Sequence, residues 1–142
     1  NNGTLEVEMF RKCPIITENL VGTWASVDQY GLSDSVEISL NGNGDLLMYG
    51  LGVAFVTGPW DEVITASAPA IIDVNPVDES IVIDDQYYWS TTYNGSVQPD
   101  YIISGSGKVL NACQNKIYIE YTFFQEGYGA LGYTFKATLV KQ

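Results

Sequence analysis

Three pairs of adjacent carboxylates, Asp61-Glu62, Asp78-Glu79 and Asp84-Asp85, are the residues of this chain best suited to acid–base chemistry. Two carboxylates facing one bond hydrolyse glycosides, one as general acid and the other as base or nucleophile. Convergence is the obstacle here. Adjacent residues on a strand point to opposite faces, and 142 residues scarcely build the walled cleft a glycosidase needs. Histidine is absent, which removes the usual general base and every His-dependent triad. Ser106 and Lys108 fall on one face of a glycine-rich strand, Ser104-Gly-Ser-Gly107, with no neighbour to activate either. The expectation is a protein that is not an enzyme, with no catalytic residue assigned.

The carboxylates allow a second chemistry. The chain has 6 basic and 17 acidic residues, a net charge of −11, and no Lys or Arg lies between Cys13 and Gly107. The acids of that segment have no basic partner within it. Either they are solvated charges that keep the protein soluble, or one cluster holds Ca²⁺, which takes oxygen ligands; the metal ligands, if any, stay unknown. No other cofactor is expected. Nucleic acid and anionic membrane surfaces are excluded as partners, because both require Lys/Arg patches.

Aromatic residues carry the binding expectation. Alternation places Tyr87, Trp89, Thr91 and Tyr93 on one strand face, with Tyr88 and Ser90 opposite. An exposed Trp89 would stack on a sugar while Asp84, Asp85 and Gln86 bond its hydroxyls, the usual recipe of apolar surface plus a few polar groups. Trp60, in a loop after Gly58-Pro59, is a second stacking candidate. The candidate ligand site is therefore Trp89, Trp60, Tyr87, Tyr93 and Asp85, set against the alternative that these rings fill a core.

These residues need strands to position them. Ile117, Ile119, Tyr121 and Phe123 alternate with polar residues, and Tyr133, Phe135, Ala137 and Leu139 repeat the phase after a glycine-rich turn. Period-two alternation in two successive runs marks a hairpin with one buried face. Val36, Ile38 and Leu40 precede an Asn41-Gly-Asn-Gly44 turn, and Asp45 to Tyr49 returns. Leu20–Val27, Val53–Val56, Ala70–Val74, Ile81–Ile83, Gln86–Tyr93 and Tyr101–Val109 complete the strands, and Pro59 to Thr65 suggests a single helical turn. Eight to ten short strands joined by sequential turns predict an all-β fold. The expected form is an antiparallel up-and-down meander closing into an eight-stranded barrel, with a β-sandwich as the alternative. Residues 20–142 form that domain, and residues 1–19 an extended arm or short strand around Leu5, Val7 and Met9.

The two cysteines, Cys13 and Cys113, stand 100 residues apart with no CxxC, so zinc is not expected. They suit either a disulfide formed in an oxidising compartment or two free buried thiols. The chain starts at Asn1 without Met, the expected mark of a removed leader. No run approaches the roughly 20 apolar residues of a membrane-spanning helix. Asn2-Gly3-Thr4 and Asn94-Gly95-Ser96 fit the N-glycosylation pattern.

Gly22-Thr23-Trp24 on the first firm strand resembles the Gly-x-Trp signature of lipocalins and related calycins. Tyr101 to Val109, Lys116 to Tyr121 and Phe135 to Leu139 resemble the lipocalin-like domains of small Bacteroides-type secreted lipoproteins. The resemblance implies a barrel closed at one end by Trp24, with Lys136 or Lys141 in place of the family's arginine across the tryptophan. It also implies an exported, cell-surface or periplasmic domain, lipid-anchored in its precursor. Two functions are expected from different classes. One is non-catalytic binding of a glycan or small apolar ligand. The other is a structural or interaction module of a surface assembly, with a filled barrel and a protein partner.

Overall fold

A computed structural model describes residues 15–111 and 115–142. The described residues form ten strands in chain order: β1 (Gly22–Asp28), β2 (Ser33–Leu40), β3 (Leu46–Tyr49), β4 (Val63–Ser67), β5 (Ala70–Val74), β6 (Ser80–Tyr93), β7 (Ser96–Val97), β8 (Tyr101–Asn111), β9 (Lys116–Gln125) and β10 (Gly129–Lys141). A 3-10 turn, Thr17–Leu20, precedes β1, and a five-residue helix α1, Val53–Thr57, follows β3. Every pairing is antiparallel. The neighbours run β5, β3, β2, β1, β10, β9, β8, β6, and a β5–β6 pairing closes the circle. Eight strands thus form a closed up-and-down barrel, and β4 and β7 are extra strands on β6.

The predicted alternation explains the wall. Ile117, Ile119, Tyr121 and Phe123 are buried, as are Phe135, Ala137 and Leu139 across the β9–β10 ladder. Val36, Ile38, Leu46, Met48, Ala70 and Ile72 continue the same interior through β2, β3 and β5. These side chains line the interior of the barrel.

One end is sealed at Trp24. Its indole N–H donates to the Leu20 carbonyl at 2.9 Å, fixing the 3-10 turn over the barrel. Lys141 pairs with Trp24 in the β1–β10 register, and its ammonium donates to the Asn19 carbonyl at 2.7 Å. The opposite end carries α1. Asp34, near the start of β2, accepts the amides of Gly52 and Ala54 at 2.8 Å each and so caps the helix. Gly52 itself lies against the interior rings. A Cβ there would come within 2.7 Å of Phe123 Cζ, and its φ of +85° suits glycine.

Strand β6 departs from simple alternation. It gains one residue on β8 between Ile83 and Gln86 and another between Tyr87 and Trp89, two β-bulges. Tyr88 and Trp89 are consequently both fully buried. Only Asp73–Val82 and Val74–Ile81 pair β5 with β6, and the Gln86 side chain bridges the rest of the seam. Its amide accepts from Ile71 N at 2.7 Å and donates to Ile71 O at 2.9 Å, standing in for a backbone partner.

Three expectations change. The predicted strand at Val53–Val56 is helix α1, and the predicted helical turn at Pro59 to Thr65 is a tight turn followed by β4. Gly50 and Gly52, both at positive φ, turn the chain out of β3 before Phe55 and Val56 bury against the barrel. Ile81–Ile83 and Gln86–Tyr93 are parts of one 14-residue strand. The arm at Leu5 to Met9, both cysteines and the Asn2 motif lie outside the described residues.

Candidate functional site

At the α1 end the chain gathers aromatic rings from distant segments. Tyr30 comes from the β1–β2 turn, Phe55 from α1, Trp60 from the turn after it, and Tyr133 from β10. Phe55 lies 5.1 Å from Trp60 and 5.5 Å from Tyr133, centroid to centroid, and Trp60 lies 6.1 Å from Tyr133. Tyr30, Leu32, Phe55, Pro59 and Tyr133 line a shallow depression of about 260 Å³ that is almost wholly apolar. Phe55 is 8% exposed, whereas Tyr30 is 54% and Tyr133 42% exposed. The floor is therefore core and the walls face water.

Two residues after Trp60 the chain carries a buried acid. Glu62 accepts from the Thr91 hydroxyl at 2.5 Å and from the Tyr101 hydroxyl at 2.8 Å. The turn from α1 places it there, with Glu62 N donating to Val56 O and Asp61 at φ +53°. Tyr101 and Trp60 are 6.4 Å apart, so the acid joins the base of the aromatic cluster. Burial, then the hydrogen bond and charge of Glu62, push the Tyr101 phenol well above the ordinary tyrosine range.

The predicted site residues scatter. Trp89 is fully buried among Tyr88, Tyr101 and Phe123. Tyr87 is half-buried on the outside of β6, its hydroxyl 2.7 Å from Ser90 Oγ, which in turn donates to Asp100. Tyr93 is exposed near the far end of β6, and Asp85 is exposed beside Asp84 on the outer wall. The common face expected for Tyr87, Trp89, Thr91 and Tyr93 does not form, because the second bulge shifts the phase between Tyr87 and Trp89. Of the five candidates, only Trp60 joins the depression's aromatic cluster. Sequence reasoning missed Tyr30, Phe55 and Tyr133 there. Tyr133 was legible as a strand residue; its place at the rim depends on where β10 leaves the barrel.

The acidic pairs diverge in different ways. Glu62 turns inward and Asp61 outward. Asp78 accepts from the amide and hydroxyl of Ser80, which lowers its pKa. Asp84 and Asp85 both face water because the first bulge cancels the alternation between them. Among the described residues, no group of three or more His, Cys, Asp or Glu side chains is placed to hold a metal ion. Ser106 and Lys108 are both exposed on the outer face of β8.

The closed eight-stranded antiparallel meander is an architecture that lipocalins also have. No protein-family model matches the sequence, and no curated protein does. Among solved structures, the chain is similar to a Nostoc punctiforme protein of unknown function from the DUF3598 family. The identity is 9% and the TM-score 0.39, over 93% of this chain and 50% of that one. The chain thus spans about half the length of that protein.

Proposed function

We propose that this chain is a non-catalytic binding domain that takes a glycan or small apolar ligand at the α1 end of its barrel. The observation that carries this reading is the apolar depression between the exposed rings of Tyr30 and Tyr133, floored by Phe55. Such concave apolar surface with few polar groups suits small ligands. The binding surface is the rim, because Trp89 and Tyr88 occupy the interior. Export to a cell surface or periplasm, as in the Bacteroides-type lipoproteins, belongs to the same proposal and rests on the sequence resemblance.

Trp60 provides the test. It is partly exposed within the cluster, whereas Trp24 and Trp89 are fully buried. Titration with methyl glycosides and short-chain alcohols should change Trp60 emission in a saturable way, and Tyr133→Ala should abolish the change. A flat response to every probe would remove the reading.

A second reading, an interaction module, is favoured by one observation. β4 pairs with β6 alone, and among the described residues no loop backbone group bonds its outer edge. Val63-Ile-Thr-Ala-Ser67 carries no charge there. Unpaired edges of this kind accept a strand from another chain. Thr65→Pro would block such addition, and an unchanged partner profile in that variant would count against this reading.

A further inference from the structure

The charges around the depression are not evenly distributed. The strand directions place Asp28, Asp34, Asp61, Glu62, Asp100 and Glu126 at the α1 end, with Lys136 as the one basic residue there among those described. Lys136 lies exposed, opposite Glu120 in the β9–β10 register. Lys108, Lys116 and Lys141 all fall toward the Trp24 end. With Glu120 opposite the single ammonium of Lys136, the other six carboxylates have no basic residue among those described at the α1 end, which is strongly negative.

Three of these acids are hydrogen-bonded to segments that supply or adjoin the rings. Asp28 accepts the amides of Tyr30 at 2.9 Å and Leu32 at 3.0 Å, two residues that line the depression. Glu62 accepts from Tyr101, whose ring lies 6.4 Å from that of Trp60. Asp34 holds the start of α1, which supplies Phe55. Their field reaches the interior: after burial, the charges of Asp34 and Asp28 are the next causes raising the Tyr121 phenol.

A neutral sugar or hydrocarbon would gain nothing from this field. A cation with an apolar body would gain from it twice. Its methyl or methylene groups fit the apolar lining, and its charge is drawn to the faces of Tyr and Trp rings and to the surrounding carboxylates, whose field concentrates counter-ions in a recess. The depression of about 260 Å³ accepts a head group of this kind rather than a long chain.

We infer that the Tyr30–Phe55–Tyr133 depression binds an alkylated ammonium group. This inference rests on the binding reading above and names the ligand class for the same site.

The probes are choline and its neutral isostere 3,3-dimethyl-1-butanol, followed by Trp60 fluorescence and by calorimetry. Choline should bind about five-fold more tightly than the alcohol, the ratio expected for a cation on partly exposed rings. Raising the salt concentration should weaken choline alone. Asp28→Asn keeps an oxygen to accept the Tyr30 and Leu32 amides while removing the charge, so it should weaken choline and leave the alcohol unchanged. Tyr133→Phe should retain choline and Tyr133→Ala should lose it.

Retention on phosphatidylcholine vesicles would assign the ammonium to a lipid headgroup. Binding of choline without vesicle retention would assign it to a free molecule. Equal binding of choline and the alcohol would overturn the ammonium inference and leave the binding reading intact, as would binding of methyl glycosides alone. No binding of choline, alcohol or glycosides would overturn both.

Discussion

The Tyr101 hydroxyl donates to Glu62 Oε2 at 2.8 Å across 39 residues of sequence, tying the start of β8 to the turn that leads into β4. The Thr91 hydroxyl donates to the other oxygen, so each oxygen of this buried carboxylate has a hydroxyl donor. A buried charge deprived of a partner is costly. Tyr101→Phe should therefore lower stability by about 1.5–3 kcal/mol, read as a lower denaturant midpoint at unchanged slope. Glu62→Gln, which keeps an acceptor and removes the charge, should cost less. A midpoint unmoved in Tyr101→Phe would show that the pair contributes nothing.

The buried phenols set the alkaline limit. Burial is the leading cause that raises Tyr88, Tyr101 and Tyr121 well above their ordinary value. In the unfolded chain the same groups ionise near pH 10. Their folded pKa values lie above the unfolded ones, so their contribution to stability is complete below about pH 10 and is lost as pH rises beyond it. Phenolate absorbance should show these tyrosines ionising together with unfolding. Ionisation of all ten tyrosines before any loss of structure would contradict this.

Strands β8 and β9 approach one another at glycines. A Cβ on Gly107 would overlap the Tyr118 carbonyl, and one on Gly105 would come within 2.5 Å of the Glu120 carbonyl. Neither neighbour is a flexible side-chain tip. Gly107→Ala should cost about 1–3 kcal/mol through forced backbone shifts, whereas Ser106→Ala, on the exposed face between them, should be close to neutral. Thermal melts of the two variants side by side test the contrast.

Asp34 anchors α1 from a different part of the chain. Removing its carboxylate in Asp34→Ala strips the cap from Gly52 and Ala54 and should cost about 1 kcal/mol. The loss should be local. Amide exchange should quicken in α1 while β9, paired at length with both β8 and β10, keeps its protection.

Much of the barrel was legible because one face of each strand is buried, which writes a period of two into the sequence. Ile117 to Phe123 and Phe135 to Leu139 carry that pattern without interruption, and Trp24 marked the sealed end. The candidate site was less legible, and for a different reason. Its walls come from Tyr30, Phe55 and Tyr133, which share no local pattern and meet only after the barrel closes. Within β6 the alternation itself was misleading. An added residue in a ladder leaves no signature in composition, so Trp89 read as a partner of Tyr87 and Tyr93 when it belongs with Tyr88 and Tyr101. Helix α1 was missed because Val53-Ala-Phe-Val56 suits a strand by residue type; the cap that makes it helical is Asp34, 18 residues before Gly52.

The extra residue between Ile83 and Gln86 means that β6 depends on its length at Asp84-Asp85 more than on what stands there. Any polar pair would keep the offset and leave Trp89 indoors. Cutting out one of the two would rotate everything downstream by half a turn, delivering the indole to water and a polar neighbour to the interior. The segment should therefore accept substitution freely and refuse deletion, a tolerance governed by counting rather than by chemistry.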